Sequence, residues 1–111
     1  MEKGKRLRRW ERFSVSIRTK ITFVLDGEVC CLFGEASDLS QGGLSLFIPR
    51  ILEEGISLAM ELSLPYQSKP MSIRGVIRNR DRFTYGIEFL RATAYQQHTI
   101  ATLCKALQLL Q

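Results

Sequence analysis

Apolar and polar residues alternate along most of this chain. Val15, Ile17, Ile21, Phe23 and Leu25 take odd positions, and Ser14, Ser16, Arg18, Lys20 and Thr22 take even ones. A period of two marks a strand with one face buried. Asp26-Gly27 predicts a hairpin turn, because Gly tolerates positive φ and Asp bonds to its own backbone. A second strand follows, with Val29, Cys31 and Phe33 on one face. Residues 34–43, GEASDLSQGG, are rich in turn formers. Leu44, Leu46 and Ile48 then alternate up to Pro49, and residues 50–55 form a connector ending in Gly55. Leu58, Met60, Leu62 and Leu64 alternate again and are closed by Pro65. After a loop from Tyr66 to Pro70, Met71, Ile73, Gly75 and Ile77 form the next strand. The polar run Arg78-Asn79-Arg80-Asp81-Arg82 reads as a solvated hairpin tip. Phe83, Tyr85, Ile87 and Phe89 form the last strand, its aromatics on the core face. Ile100, Leu103, Cys104, Leu107 and Leu110 then recur at spacings of three and four, which predicts one amphipathic helix over about residues 92–110.

The pattern is therefore about six short antiparallel strands followed by one helix, an all-β dominated chain. A six-stranded antiparallel β-barrel with a C-terminal α-helix suits it, since closure removes exposed strand edges. The helix would plug an open end or cover a seam. A length of 111 residues leaves room for one domain, and a domain of that size buries roughly two-thirds of the surface its unfolded chain exposes. Residues 1–12 are expected as a basic N-terminal arm and residues 13–111 as the barrel with its helix.

Charge sharpens the picture at one end. The chain carries a net +5. Six basic residues (Lys3, Lys5, Arg6, Arg8, Arg9 and Arg12) stand against Glu2 and Glu11 in the first twelve positions, so this segment holds +4 of it. The anion-attracting field is thus local to the arm. Cys30 and Cys31 are adjacent and Cys104 is distant, a spacing that suits neither a disulfide framework nor zinc. They are expected as small apolar residues in a reducing compartment. No apolar run of about 18 residues predicts a membrane span, and the basic start lacks the apolar core of a secretory signal. The expected location is cytoplasmic.

Enzymatic constellations are poor. His98, the single histidine, falls beside Gln96 and Gln97 on the helix and is expected to face solvent. No Ser-His-Asp set, metal-ligand cluster, phosphate loop or dinucleotide fingerprint can be assembled, so neither catalysis nor a metal or cofactor is expected. Two features remain. Arg8-Arg9-Trp10-Glu11-Arg12 sets two arginines four apart, each able to grip phosphate bidentately or to read the O6/N7 edge of guanine. Asp38-Leu39-Ser40-Gln41-Gly42-Gly43 offers a carboxylate for the N1–H and N2–H₂ donors of guanine, a hydroxyl for base or phosphate, and a glycine that lets the backbone approach a ligand closely and expose its N–H. Taken singly, the first is also a solvated basic tail and the second a plain turn.

Together, in this order and separation, they resemble the PilZ domain family. The arm supplies Arg8 and Arg12 of an Arg-x-x-x-Arg motif, and the turn supplies Asp38, Ser40 and Gly43 of an Asp-x-Ser-x-x-Gly motif. Tyr85-Gly86-Ile87-Glu88-Phe89 echoes the family's closing strand. The resemblance runs from Arg8 to the C-terminal helix. It implies a receptor for cyclic di-GMP in which Arg8 and Arg12 clamp the ligand, Asp38 and Ser40 read it, and Gly43 makes space, with Arg9 adding a lesser contact. Leu7 stands where many members have a further arginine, which favours a single bound ligand. Trp10 either stacks on a base or packs on the barrel.

The polar, charged, terminal character of the arm predicts that it orders on binding and presents a reshaped surface to an effector protein. Two other readings are open. One is a PilZ-fold protein-interaction module that does not bind the nucleotide. The other is a small barrel for single-stranded nucleic acid, which the confinement of basic residues to one arm disfavours. Bulk nucleic acid is not an expected partner.

Overall fold

The computed structural model describes residues 10–110. Six strands, β1 (Phe13–Leu25), β2 (Glu28–Leu39), β3 (Gly43–Phe47), β4 (Ser57–Leu62), β5 (Met71–Asp81) and β6 (Thr84–Leu90), precede one helix, α1 (Ala94–Leu110). All neighbouring strands run antiparallel, and the order β1-β2-β3-β6-β5-β4 closes on itself because β1 pairs with both β2 and β4. The expected barrel and helix are present.

In β1 the odd positions point inward: Phe13, Ile17, Ile21 and Phe23 are buried. The polar interruption at Thr19 is inward as well, its hydroxyl donating to the carbonyl of Ile17 at 3.1 Å. Asp26 and Gly27 both take positive φ (53° and 80°), the conformation of a two-residue hairpin whose twist matches the strands.

Three local expectations change. Val29, Cys31 and Phe33 do share a face of β2, but it is the outer one. Cys30 and Leu32 point inward, because the tight turn fixes the register Val24↔Val29 and Phe23↔Cys30. Residues 34–39 are strand, not turn. An extra residue, Ser37, lies between the pairs Ala36↔Leu46 and Asp38↔Ser45. A one-residue bulge inverts which side chains face in, so Ala36 and Leu39 are both buried while Asp38 between them faces out. Residues 78–81 likewise extend β5, and the turn shrinks to Arg82 and Phe83. Phe83 is exposed, edge-on to exposed Phe47 with ring centroids 6.4 Å apart. It does not join the core.

The helix starts two residues later than expected. Thr93 and Gln96 form a reciprocal cap, with Gln96 N–H donating to Thr93 Oγ1 at 3.1 Å and Thr93 N–H donating to Gln96 Oε1 at 2.8 Å. Ile100, Leu103 and Cys104 pack into the same core as the strands, whereas Leu110 is exposed. The helix lies over the barrel end where β1 begins and β4 finishes. Of the cysteines only Cys104 is buried; Cys30 is half-buried and Cys31 exposed. Burial, and secondarily the Glu11 carboxylate, push the Cys104 thiol up to about 11, so it packs as a neutral apolar group.

At the opposite end the connector 50–55 folds inward through buried Leu52. Tyr85, fully buried, fastens it. Its hydroxyl accepts from Leu52 N–H at 2.8 Å and donates to the Arg50 carbonyl at 2.5 Å. Tyr85→Phe leaves the buried Leu52 N–H without its acceptor and the partly buried Arg50 carbonyl without its donor. It is expected to cost about 1–3 kcal/mol and to lower the thermal midpoint by roughly 5–15 °C in a melt followed by circular dichroism.

Candidate functional site

The β2 bulge turns Asp38 to the outside at the end of its strand. One cross-strand row then runs Ser14, Asp38, Ser45, Gly86 and Asn79 over five neighbouring strands. These are small or polar residues on the outer wall, directly beside an inward row of Phe13, Leu39, Leu44, Ile87 and Ile77. Asp38 Oδ1 accepts the Ser45 N–H at 3.1 Å, and Asp38 Oδ2 lies 3.6 Å from the Arg12 guanidinium. The two sequence motifs therefore meet, although 26 positions separate Arg12 from Asp38 (38 minus 12). Both side chains are partly exposed, so this ion pair adds at most about 1 kcal/mol to stability. It leaves two opposite charges within reach of a ligand.

The turn after β2 is built around Ser40. Its buried hydroxyl accepts from the N–H groups of Gly42 and Gly43, both at 3.2 Å, and donates to the Gly43 carbonyl at 3.3 Å. One donor and two acceptor sites are the whole capacity of a hydroxyl. Ser40 thus holds the loop, and the Gly43 N–H that the sequence left for a ligand bonds to it instead. Gly43 is glycine for a second reason. A Cβ there would collide with the main-chain carbonyl oxygen of Ile87 on β6, so the close approach is between β3 and β6. Gly42 carries the indole of Trp10 against it, in the space a Cβ would take. Trp10 is 40% exposed, with its indole packed on the barrel at Gly42.

Beside the Arg12–Asp38 pair lies a cleft of about 360 Å³, which Arg12 lines and Asp38 does not, within the lower range of small-molecule sites. Trp10, Arg12, Ser40, Gly42 and Gly43 form one side. Arg78, Asn79, Gly86 and Glu88 form the other. The second group is invisible in the sequence reading, where residues 78–82 pass for a solvated tip. A bulge at Arg78, between the pairs Ile77↔Ile87 and Asn79↔Gly86, turns this arginine toward Glu88, whose carboxylate it meets at 2.5 Å. A larger hollow of about 440 Å³ between Thr22, Glu61, Arg74 and Gln96 holds none of the motif residues. Arg8 and Arg9 lie outside the described residues. His98 is exposed on α1, as expected.

Among the described residues no three His, Cys, Asp or Glu side chains gather as a metal site, and no helix is long and apolar enough to cross a membrane.

A closed six-stranded barrel with a capping helix and a charged cleft on its outer wall makes this a small β-barrel module. The chain belongs to the PilZ domain family, whose model matches residues 6–106. Among solved structures, the PilZ domain of YcgR from Escherichia coli, solved with c-di-GMP, is 18% identical with a TM-score of 0.72, the match covering 92% of each chain. The Bacillus subtilis inhibitor of motility MotI (DgrA) is 20% identical with a TM-score of 0.72, and the K. pneumonia MrkH–c-di-GMP complex 16% identical with a TM-score of 0.70. Each match takes in 92% of this chain but only 51% and 52% of those longer proteins. A comparison with curated proteins returned no match.

Proposed function

We propose that this chain is a receptor module for cyclic di-GMP. The observation that carries the reading is the meeting of Arg12 with Asp38 beside a cleft lined by Arg12, Gly42, Gly43 and Gly86. A guanidinium beside a carboxylate offers donors to the O6/N7 edge or phosphates of a guanine nucleotide, and acceptors to its N1–H and N2–H₂. The family membership of residues 6–106 and the ligand named for the YcgR and MrkH structures support the same assignment. Arg8 completes the clamp from the arm, with Arg9 adding a lesser contact. Asp38 reads guanine directly. Ser40 and Gly43 act chiefly by holding the loop that carries the cleft floor. The bound arm then offers a changed surface to an effector protein in the cytoplasm, with no catalytic step.

The test is a calorimetric titration of the full chain with cyclic di-GMP at about 150 mM salt. Saturable binding with a stoichiometry of one ligand per chain is expected, and it should resist excess single-stranded RNA. No heat at high micromolar ligand overturns the reading. It would favour a protein-interaction module instead, for which the exposed Phe33, Phe47 and Phe83 are the motive.

A further inference from the structure

The second wall of the cleft repeats the chemistry of the first. Arg12, just before β1, and Asp38 on β2 form an arginine–carboxylate couple. Arg78 and Glu88 form another on β5 and β6. Between them lies β3, with Gly43 paired to Glu88 and Ser45 paired to Asp38. At about 4.8 Å per strand step, the carboxylate-bearing strands β2 and β6 stand roughly 10 Å apart. The β5 bulge is what brings Arg78 to Glu88. Bulges of this kind re-aim one side chain without breaking the sheet.

An arginine–carboxylate couple is matched to one base. Guanine places two donors, N1–H and N2–H₂, on one edge and two acceptors, O6 and N7, on the other. Adenine sets an N6 amino donor where guanine has O6, so a guanidinium aimed there meets a donor. Before a ligand arrives, each couple neutralises itself, and neither charge is left bare. A ligand with two guanines needs two such couples, and this wall of the barrel carries two: Arg78–Glu88 lines the cleft, and Arg12–Asp38 reaches it through Arg12.

We propose that Arg78 and Glu88 read the second guanine of cyclic di-GMP, Glu88 accepting from N1–H and N2–H₂ and Arg78 donating to O6 and N7. This rests on the receptor reading above and extends it to the residues that distinguish a two-guanine ligand from a mixed one. The side chains of the couple are more than half exposed, so removing it should leave the fold intact.

The experiment titrates the full chain and its Glu88→Gln and Arg78→Ala variants with cyclic di-GMP and with the cyclic GMP–AMP dinucleotide, which replaces one guanine by adenine. The parent should prefer cyclic di-GMP. Each variant should lose about tenfold or more in affinity for cyclic di-GMP and much less for the mixed dinucleotide, so that the preference collapses. Arg78→Lys, which keeps the charge but not the fork, should lose preference as well, and melting curves of all variants should match the parent. Variants that keep both the affinity and the preference overturn the inference while the receptor reading stands. So do variants weakened equally toward both ligands, which would mean a general charge effect. A parent chain that binds neither dinucleotide overturns both readings.

Discussion

Asp38→Ala is expected to bind cyclic di-GMP at least about tenfold more weakly than the parent chain. The sign of this result separates recognition from simple attraction. Removing Asp38 raises the net charge by one and frees the Arg12 guanidinium 3.6 Å away. If the arm held the ligand only as a polyanion, the variant would bind as well or better. If Asp38 accepts guanine donors, the variant loses charge-assisted hydrogen bonds of roughly 1.5–3 kcal/mol in total, which is about tenfold to more than a hundredfold in Kd. Arg12→Ala should also weaken binding by about tenfold or more, and it should flatten the salt dependence, which Asp38→Ala should not. The double variant should lose less than the sum of the two, since residues in contact are not additive. Calorimetry at two salt concentrations reads all of these outcomes. An Asp38→Ala chain with unchanged or improved affinity removes the proposed site.

Gly43→Val is expected to have the largest effect on stability. Among the described glycines, a side chain would meet open space at Gly27 and Gly55, a movable side chain at Gly42 and Gly86, and a main-chain carbonyl at Gly34 and Gly43. At Gly43 it would meet the main-chain carbonyl of Ile87, which is fixed in the sheet. A backbone atom cannot swing aside as a side chain can, so β3 must move off β6. That breach would open the barrel where Gly43 pairs with Glu88, and it would draw the Ser40 hydroxyl from its two N–H partners. About 3 kcal/mol or more is expected, which for a domain of this size lowers the thermal midpoint by roughly 10–20 °C. Gly27→Asn is the control. Gly27 has φ +80° and nothing near its Cβ position, and Asn tolerates that conformation, so the melt should shift by only a few degrees. A Gly43→Val chain that melts like the parent would refute the close approach of β3 to β6.

The motif residues were legible in the sequence because their chemistry is local: arginines four apart, and a carboxylate, a hydroxyl and a glycine within six residues. What each does was less legible. The hydroxyl of Ser40 and the N–H of Gly43 satisfy one another, and no spacing rule reveals that a loop uses up its own donors. Arg78 and Glu88 were missed for a different reason. Ten residues apart and flanked by Asn79 and Arg80, they look like solvated polar positions until β5 and β6 pair and a bulge turns one toward the other.

The alternation of apolar residues determined by itself that this chain makes six strands and a helix, and that the strands close, because each has one apolar face and unpaired edges are costly. The residues themselves set the order in which the arm and the Asp-x-Ser-x-x-Gly motif are strung. Only the tertiary structure decided which way each face points beyond a bulge. A strand's period is two, and one extra residue at Ser37 or Arg78 inverts it without any change in composition. The same pairing decided that Arg12 meets Asp38 and that a second couple faces them. Contacts between residues distant in sequence are set by register, and register is a property of the closed sheet.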